Sequence, residues 1–153
     1  MMKKMRCMKI MVMLFVIFIS CFTKNIFASD MSDIVEEKID PSENIIEEFG
    51  EEEESLELFS NVVGIDWTIK DGVRKKTKQF YKKKGSSITI DFKISPETKS
   101  VRVGYLDADQ VKHYKTVKAK IKQNFTIQKT GYIKVFVENN SGKTVTVTGS
   151  YIK

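Results

Sequence analysis

Ser86-Ser87-Ile88-Thr89-Ile90-Asp91-Phe92-Lys93-Ile94 is the stretch that decides the fold class. Its apolar side chains recur at every second position, so Ile88, Ile90, Phe92 and Ile94 share one face while Thr89, Asp91 and Lys93 occupy the other. That period is what a half-buried strand requires, because successive Cβ atoms point to opposite sides of a sheet. Working outward, the same alternation holds at Val63, Ile65, Trp67 and Ile69, at Val101, Val103 and Tyr105, and at Val145 and Val147, which oppose Thr144, Thr146 and Thr148. Ile133, Val135 and Val137 line one face of a further strand and Tyr132, Lys134 and Phe136 the other, which predicts a strand covered on both sides.

Turn residues separate these runs at the spacing of all-β domains. Asp71-Gly72, Lys84-Gly85, Asp107 to Gln110, Thr130-Gly131 and Asn139-Asn140-Ser141-Gly142 supply side chains that initiate turns or tolerate positive φ. No strand is followed by a helical stretch of 10 to 15 residues, which excludes parallel α/β architectures. The predicted fold is all-β: a small antiparallel β-sandwich or jelly-roll of seven or eight strands over residues 61–153, with a partly open barrel as the alternative. The open point in the count is Val111 to Ile127, where no turn signal divides the run and one long bent strand accommodates it.

The last hairpin, Gly131-Tyr132-Ile133-Lys134-Val135-Phe136-Val137-Glu138-Asn139-Asn140-Ser141-Gly142-Lys143-Thr144-Val145-Thr146-Val147-Thr148-Gly149-Ser150-Tyr151, resembles the terminal hairpin of small exported, mostly uncharacterised β-sandwich proteins of Gram-positive bacteria. In that group a signal peptide and a variable linker precede one C-terminal jelly-roll-like domain. The hairpin is also similar to the closing hairpin of jelly-roll accessory domains on secreted bacterial enzymes. The resemblance implies fold and location and carries no site residues.

Ahead of the sandwich the chain has two further segments. Residues 1–28 have the three-part layout of a secretory signal peptide: Lys3, Lys4, Arg6 and Lys9, then the apolar run Ile10 to Phe22, then Asn25-Ile26-Phe27-Ala28 before Ser29. Cleavage after Ala28 is the expectation, since a membrane span takes about 20 apolar residues and Thr23, Lys24 and Asn25 interrupt the run. The predicted location is therefore secreted, that is extracellular. The alternative is a lipid anchor at Cys21 on the outer face of the membrane, although Phe18 stands where a lipoprotein signal usually has Leu. Cleavage after Ala28 removes Cys7 and Cys21 and leaves no thiol for a disulfide, a nucleophile or a metal.

Charge divides the rest. Over its 153 residues the chain is formally +6, yet residues 1–29 hold five basic residues and no acidic one. Residues 30–60 hold thirteen acidic residues against Lys38 alone, a net −12, and residues 61–153 are +13. The expected organisation is a signal peptide (1–28), an acidic, largely disordered segment (29–60) and a basic β-sandwich (61–153). Ser42 could cap a short helix ending at Gly50, and about 30 Å of flexible reach would let the segment fold back on the basic domain as a lid; a linker or a pro-region are its other readings.

Catalysis finds no support in the inventory. His113 is the sole histidine, which excludes a two-imidazole metal centre within one chain, and no Gly-x-Ser-x-Gly or Gly-rich phosphate loop occurs. Asp107-Ala108-Asp109 fits turn chemistry better than a calcium loop. The expectation is a non-enzymatic binding module with no metal or cofactor, acting at the cell envelope. Its candidate anion-binding residues are Lys118, Lys120 and Lys122, spaced to share one strand face, and Lys75, Lys76, Lys78, Lys82, Lys83 and Lys84, interleaved with Phe80 and Tyr81. An anionic cell-wall polymer or a membrane surface is the partner class these suggest. Nucleic acid is disfavoured by export and by a mature chain whose arginines are Arg74 and Arg102. The alternative function is a secreted protein-interaction factor, inhibitor or immunity-like, whose acidic-hydrophobic segment binds a protein partner.

Overall fold

Burial alternates cleanly along Val62–Ile69 and Ser87–Ser95 of the computed structural model, which describes residues 34–54 and 61–153. In Ser87–Ser95, Ile88, Ile90, Phe92 and Ile94 are all buried while Ser87, Asp91, Lys93 and Ser95 are exposed. The described strands, in chain order, are β1 (Val35–Lys38), β2 (Ile46–Phe49), β3 (Glu53–Glu54), β4 (Val62–Ile69), β5 (Val73–Lys76), β6 (Phe80–Lys82), β7 (Ser87–Ser95), β8 (Ser100–Leu106), β9 (Val111–Lys118), β10 (Lys120–Thr126), β11 (Gly131–Asn139) and β12 (Val145–Ile152). They form two sheets. One has five strands in the order β10-β7-β12-β4-β3; the other has seven in the order β1-β9-β8-β11-β5-β2, with β6 also paired to β11. The pairings are antiparallel apart from β2 on β5.

The inner faces meet in one apolar cluster in which Ile88, Ile90, Phe92 and Ile94 of β7 pack with Val63, Ile65, Trp67 and Ile69 of β4, Val101, Val103 and Tyr105 of β8, and Ile133, Val135 and Val137 of β11. Two facing sheets with alternate residues directed inward make a β-sandwich. The all-β sandwich expected from the sequence is the fold observed. Residues 61–153 contribute nine strands rather than seven or eight. The difference lies partly in Val111 to Ile127, which Ala119 divides: its φ of 58° bends the chain, leaving β9 in the seven-stranded sheet and β10 in the five-stranded one.

The acidic segment departs from expectation. Disorder and a short helix were the sequence-based expectations for it, yet residues 34–54 supply β1, β2 and β3. A turn stands in place of the helix start, with Asp40 Oδ1 accepting hydrogen bonds from the backbone N–H and the hydroxyl of Ser42, each at 2.8 Å. β1 extends one edge of the seven-stranded sheet beside β9, and β2 extends the opposite edge beside β5. Residues 39–45 therefore cross the sheet's outer face as a strap, where Ile39 packs on Leu106, Tyr114 and Phe136. Like-charge repulsion within the segment favours disorder only while no counter-charge is in reach, and the sheet supplies that charge.

After β2 the chain passes to the other sheet through Gly50 to Glu52. The Trp67 indole N–H donates to the Glu51 carbonyl at 2.6 Å, and the Tyr151 hydroxyl donates to Glu52 at 2.9 Å. A Cβ on Gly50 would lie 2.1 Å from Trp67 Cε2, so only glycine lets the backbone lie against the indole.

Candidate functional site

Three surfaces collect the polar and aromatic chemistry of the described residues, and each is built by register. The first lies under the strap. Arg74 on β5, Arg102 on β8, Lys112 on β9 and Glu138 on β11 all point to the outer face of the seven-stranded sheet, where three cations surround one carboxylate. Glu138, fully buried, accepts from Arg74 Nε at 2.8 Å and Nη2 at 2.5 Å and from Arg102 Nη1 at 2.8 Å, and lies 3.9 Å from Lys112 Nζ.

The strap and the two strands it joins, β1 and β2, supply the missing negative charge. Glu43 accepts from Arg74 Nη2 and from Lys112 Nζ, both at 2.8 Å; Glu37 lies 3.5 Å from Lys112, and Glu47 pairs with Arg74 at 3.2 Å and with Lys76. Burial raises the Glu43 carboxyl, but hydrogen bonds and charge from Lys112 and Arg74 more than offset it and hold the group below the usual glutamate range. Glu47 is held low in the same way by Lys76 and Arg74 against its own partial burial. Burial alone would disfavour the Arg74 cation, yet Glu138 and Glu43 keep its pKa above the ordinary arginine value.

The second surface is the end of the same outer face that the strap leaves open. Tyr81 of β6 and Tyr132 of β11 are direct cross-strand partners, 54% and 57% exposed, with ring centroids 5.7 Å apart in an edge-to-face arrangement. Lys134 follows Tyr132 on the same face of β11, and exposed Lys83 and Lys84 follow β6. The third surface is a cleft of about 390 Å³ on the outer face of the five-stranded sheet, lined by Lys93, Ser95, Glu97, Ala119, Lys120, Thr146 and Thr148 together with Ile94.

The predicted lysines divide among these surfaces. Lys118, Lys120 and Lys122 do not form a single three-step ladder: Ala119 puts Lys118 at the end of β9 in one sheet and Lys120 and Lys122 on β10 in the other. Lys120 lines the cleft, while Lys122 lies 3.4 Å from Asp91. In the second cluster, Lys75 pairs with Glu48 at 3.8 Å and Lys76 with Glu47, its ammonium 5.2 Å from the Phe49 ring centroid. Those two belong to the ion network that β2 makes with β5. The backbone N–H of Lys78 donates to Glu52 at 2.5 Å, Lys82 is half-buried, and Lys83 and Lys84 are exposed beside the tyrosine pair. Ala28 and Cys21 lie outside the described residues.

His113 is buried, stacked on Tyr105 at 4.5 Å with Nε2 3.2 Å from Asp107 Oδ2. Asp107 Oδ1 accepts from the backbone N–H of Asp109 and Val111, the local turn chemistry expected of it. Among the described residues no group of three His, Cys, Asp or Glu side chains is placed to hold a metal ion. Sequence reasoning missed Lys93, whose cross-strand partnership with Lys120 depends on register, and it missed the pairing of Tyr81 with Tyr132 for the same reason.

No protein-family model matches the chain, and no curated protein matches it. Among solved structures the chain is similar to the crystal structure of Aeromonas hydrophila PliG, a periplasmic lysozyme inhibitor of g-type lysozyme, with 8% sequence identity and a TM-score of 0.49, over 69% of this chain and 97% of that one.

Proposed function

We propose that the chain is an exported, non-catalytic interaction module of the inhibitor or immunity-like type, which binds a protein partner through the open end of the seven-stranded sheet's outer face. Export rests on the layout of residues 1–28. The observation that carries the reading is the Tyr81–Tyr132 pair, two rings more than half exposed yet packed on each other on adjacent strands. Tyrosine gives a large amphipathic contact at low entropic cost, and exposed aromatics on a rigid support are what interface hot spots are made of. Lys83, Lys84 and Lys134 around the pair favour an acidic partner surface and would steer its approach.

The alternative mechanisms are each weakened by a specific contact. An acidic segment free to capture a partner is at odds with residues 34–54, which are built into both sheets. A continuous polyanion track through Lys75 and Lys76 is at odds with their pairing to Glu48 and Glu47.

The test immobilises residues 29–153 and the double variant Tyr81→Ala/Tyr132→Ala at equal density and passes secreted and envelope proteins of the producing cell over both. A purified candidate is then titrated against each. The proposal expects at least about a tenfold loss of affinity in the double variant at unchanged melting temperature, since two hot-spot rings are each worth more than about 1 kcal/mol. A partner bound equally by both proteins refutes the assignment of this face.

A further inference from the structure

The cleft on the five-stranded sheet contains an arrangement that the fold does not need and that costs stability. Lys93 of β7 and Lys120 of β10 are direct cross-strand partners, exposed on the same face, and neither has an ion pair among the described residues. Like charges directly opposite each other across an antiparallel pair repel. Two residues further along the same ladder Lys122 stands opposite Asp91, and there the charge is compensated at 3.4 Å. The uncompensated pair is the one that lines a cavity.

The rest of the lining is hydroxylic. Ser95 and Thr146 are cross-strand partners, as are Lys93 and Thr148, so the hydroxyls of Ser95, Thr146 and Thr148 flank the two ammonium groups on one face. Ala119 closes one side in a left-handed backbone conformation, φ 58°, held by a hydrogen bond from Ile94 N–H to its carbonyl at 2.7 Å. The crossover from one sheet to the other imposes that conformation and so fixes this wall of the cleft.

We infer that this cleft binds a phosphodiester carried on a hydroxylated chain, as in a polyol-phosphate polymer. Two lysines and Glu97 leave one net positive charge, which matches the single negative charge of a phosphodiester better than the near-dianionic phosphomonoester. Serine and threonine hydroxyls both donate and accept, which suits alternating phosphate oxygens and polyol hydroxyls. No aromatic side chain lines the cleft, so it offers no platform for stacking a nucleobase. The same headgroup chemistry occurs in glycerol-phosphate wall polymers and in phosphatidylglycerol. This cleft and the tyrosine pair are on different sheets, so each can fail without the other.

The experiment uses residues 29–153 with glycerophosphoglycerol oligomer as probe, and separately phosphatidylglycerol and phosphatidylcholine vesicles, at about 50 mM and about 300 mM salt, on either side of a Debye length near 10 Å. Saturable oligomer binding that weakens with salt and falls at least tenfold in Lys93→Gln/Lys120→Gln, but not in Lys122→Gln or Tyr81→Ala/Tyr132→Ala, is the expected result. Retention on phosphatidylglycerol vesicles alone, lost in the same double variant, supports the chemistry and assigns it to lipid. The double variant should also melt no lower than the parent, because repulsion is relieved. No binding at low salt, or equal binding by the Lys93→Gln/Lys120→Gln protein, overturns the inference.

Discussion

Replacing Glu43 by Gln tests whether the acidic strap is structural, because it removes one charge and almost no volume. Glu43 accepts from Lys112 Nζ and Arg74 Nη2, each at 2.8 Å, and the Lys112 side chain is fully buried. Removing one member of a buried ion pair costs about 3–5 kcal/mol when the other is left alone. Here the loss is smaller, because Lys112 keeps Glu37 at 3.5 Å and Glu138 at 3.9 Å, Arg74 keeps both bonds to Glu138, and Glu43 is 22% exposed. The glutamine carbonyl can still serve one cation, while its amide presents a donor to the other. One charge-assisted hydrogen bond is therefore lost, worth about 2 kcal/mol. For a domain of this size that lowers the melting temperature by about 8 °C. Urea denaturation of Glu43→Gln, Lys112→Met and the double variant should give a coupling energy of about 1–2 kcal/mol. Glu48→Gln is the control, since Glu48 is 45% exposed and 3.8 Å from Lys75, and it should change stability by less than about 0.5 kcal/mol. Equal stability of the Glu43 and Glu48 variants, or zero coupling with Lys112, would refute the strap as a structural element.

Other expectations follow from the same contacts. Gly50→Ala drives a Cβ into the Trp67 indole and should destabilise by about 1–3 kcal/mol with a shift in tryptophan emission; an unchanged spectrum and melting point would mean the crossing chain does not lie on Trp67. Glu43 and Glu47 titrate below the ordinary 4.5 in the folded protein, so their contribution is complete above about pH 4.5 and is lost as pH falls through the lower folded values. Melting temperatures should thus be level near neutrality and drop in acid, with a shallower drop in Glu43→Gln/Glu47→Gln, and identical acid slopes would contradict this. The intact mass of the protein from its producing cell should correspond to a chain beginning at Ser29; a mass for a lipidated chain beginning at Cys21 would instead place it on the membrane.

Legibility of this fold from its sequence followed the range of the interaction involved. Ile88 to Ile94 and Val63 to Ile69 announce strands because alternation is local, and the doubly covered β11 was readable because Phe136 repeats on the polar face. Ala119 was not readable as a bend, since alanine carries no left-handed preference and its conformation is imposed by the change of sheet. Charge and reach allowed the acidic segment to fold back, but its partners were hidden by distance in sequence: Glu43 meets Arg74 and Lys112, 31 and 69 residues away, whereas composition registers only its acidic neighbours. Lys93 and Lys120 likewise belong to different strands, and only the register of β7 on β10 sets one opposite the other.

The ion network also changes what the basic excess of residues 61–153 means. Arg74, Arg102 and Lys112 converge on Glu138 alone within that part of the chain, and two buried cations, Arg74 and Lys112, with a third beside the same carboxylate are not sustainable without further negative charge. Glu37, Glu43 and Glu47 supply it, so residues 34–54 complete a sheet face instead of competing with an external polyanion for it. Positive charge outside that network includes Lys83, Lys84 and Lys134 beside the exposed tyrosines, Lys93 and Lys120 in the cleft of the other sheet, and the exposed Lys70, Lys78, Lys118 and Lys143. The segment thus neutralises one face and leaves those cations outside its ion network. Loss of the strap should therefore alter stability first, and should strengthen nonspecific polyanion binding only by exposing cations that the native fold keeps for itself.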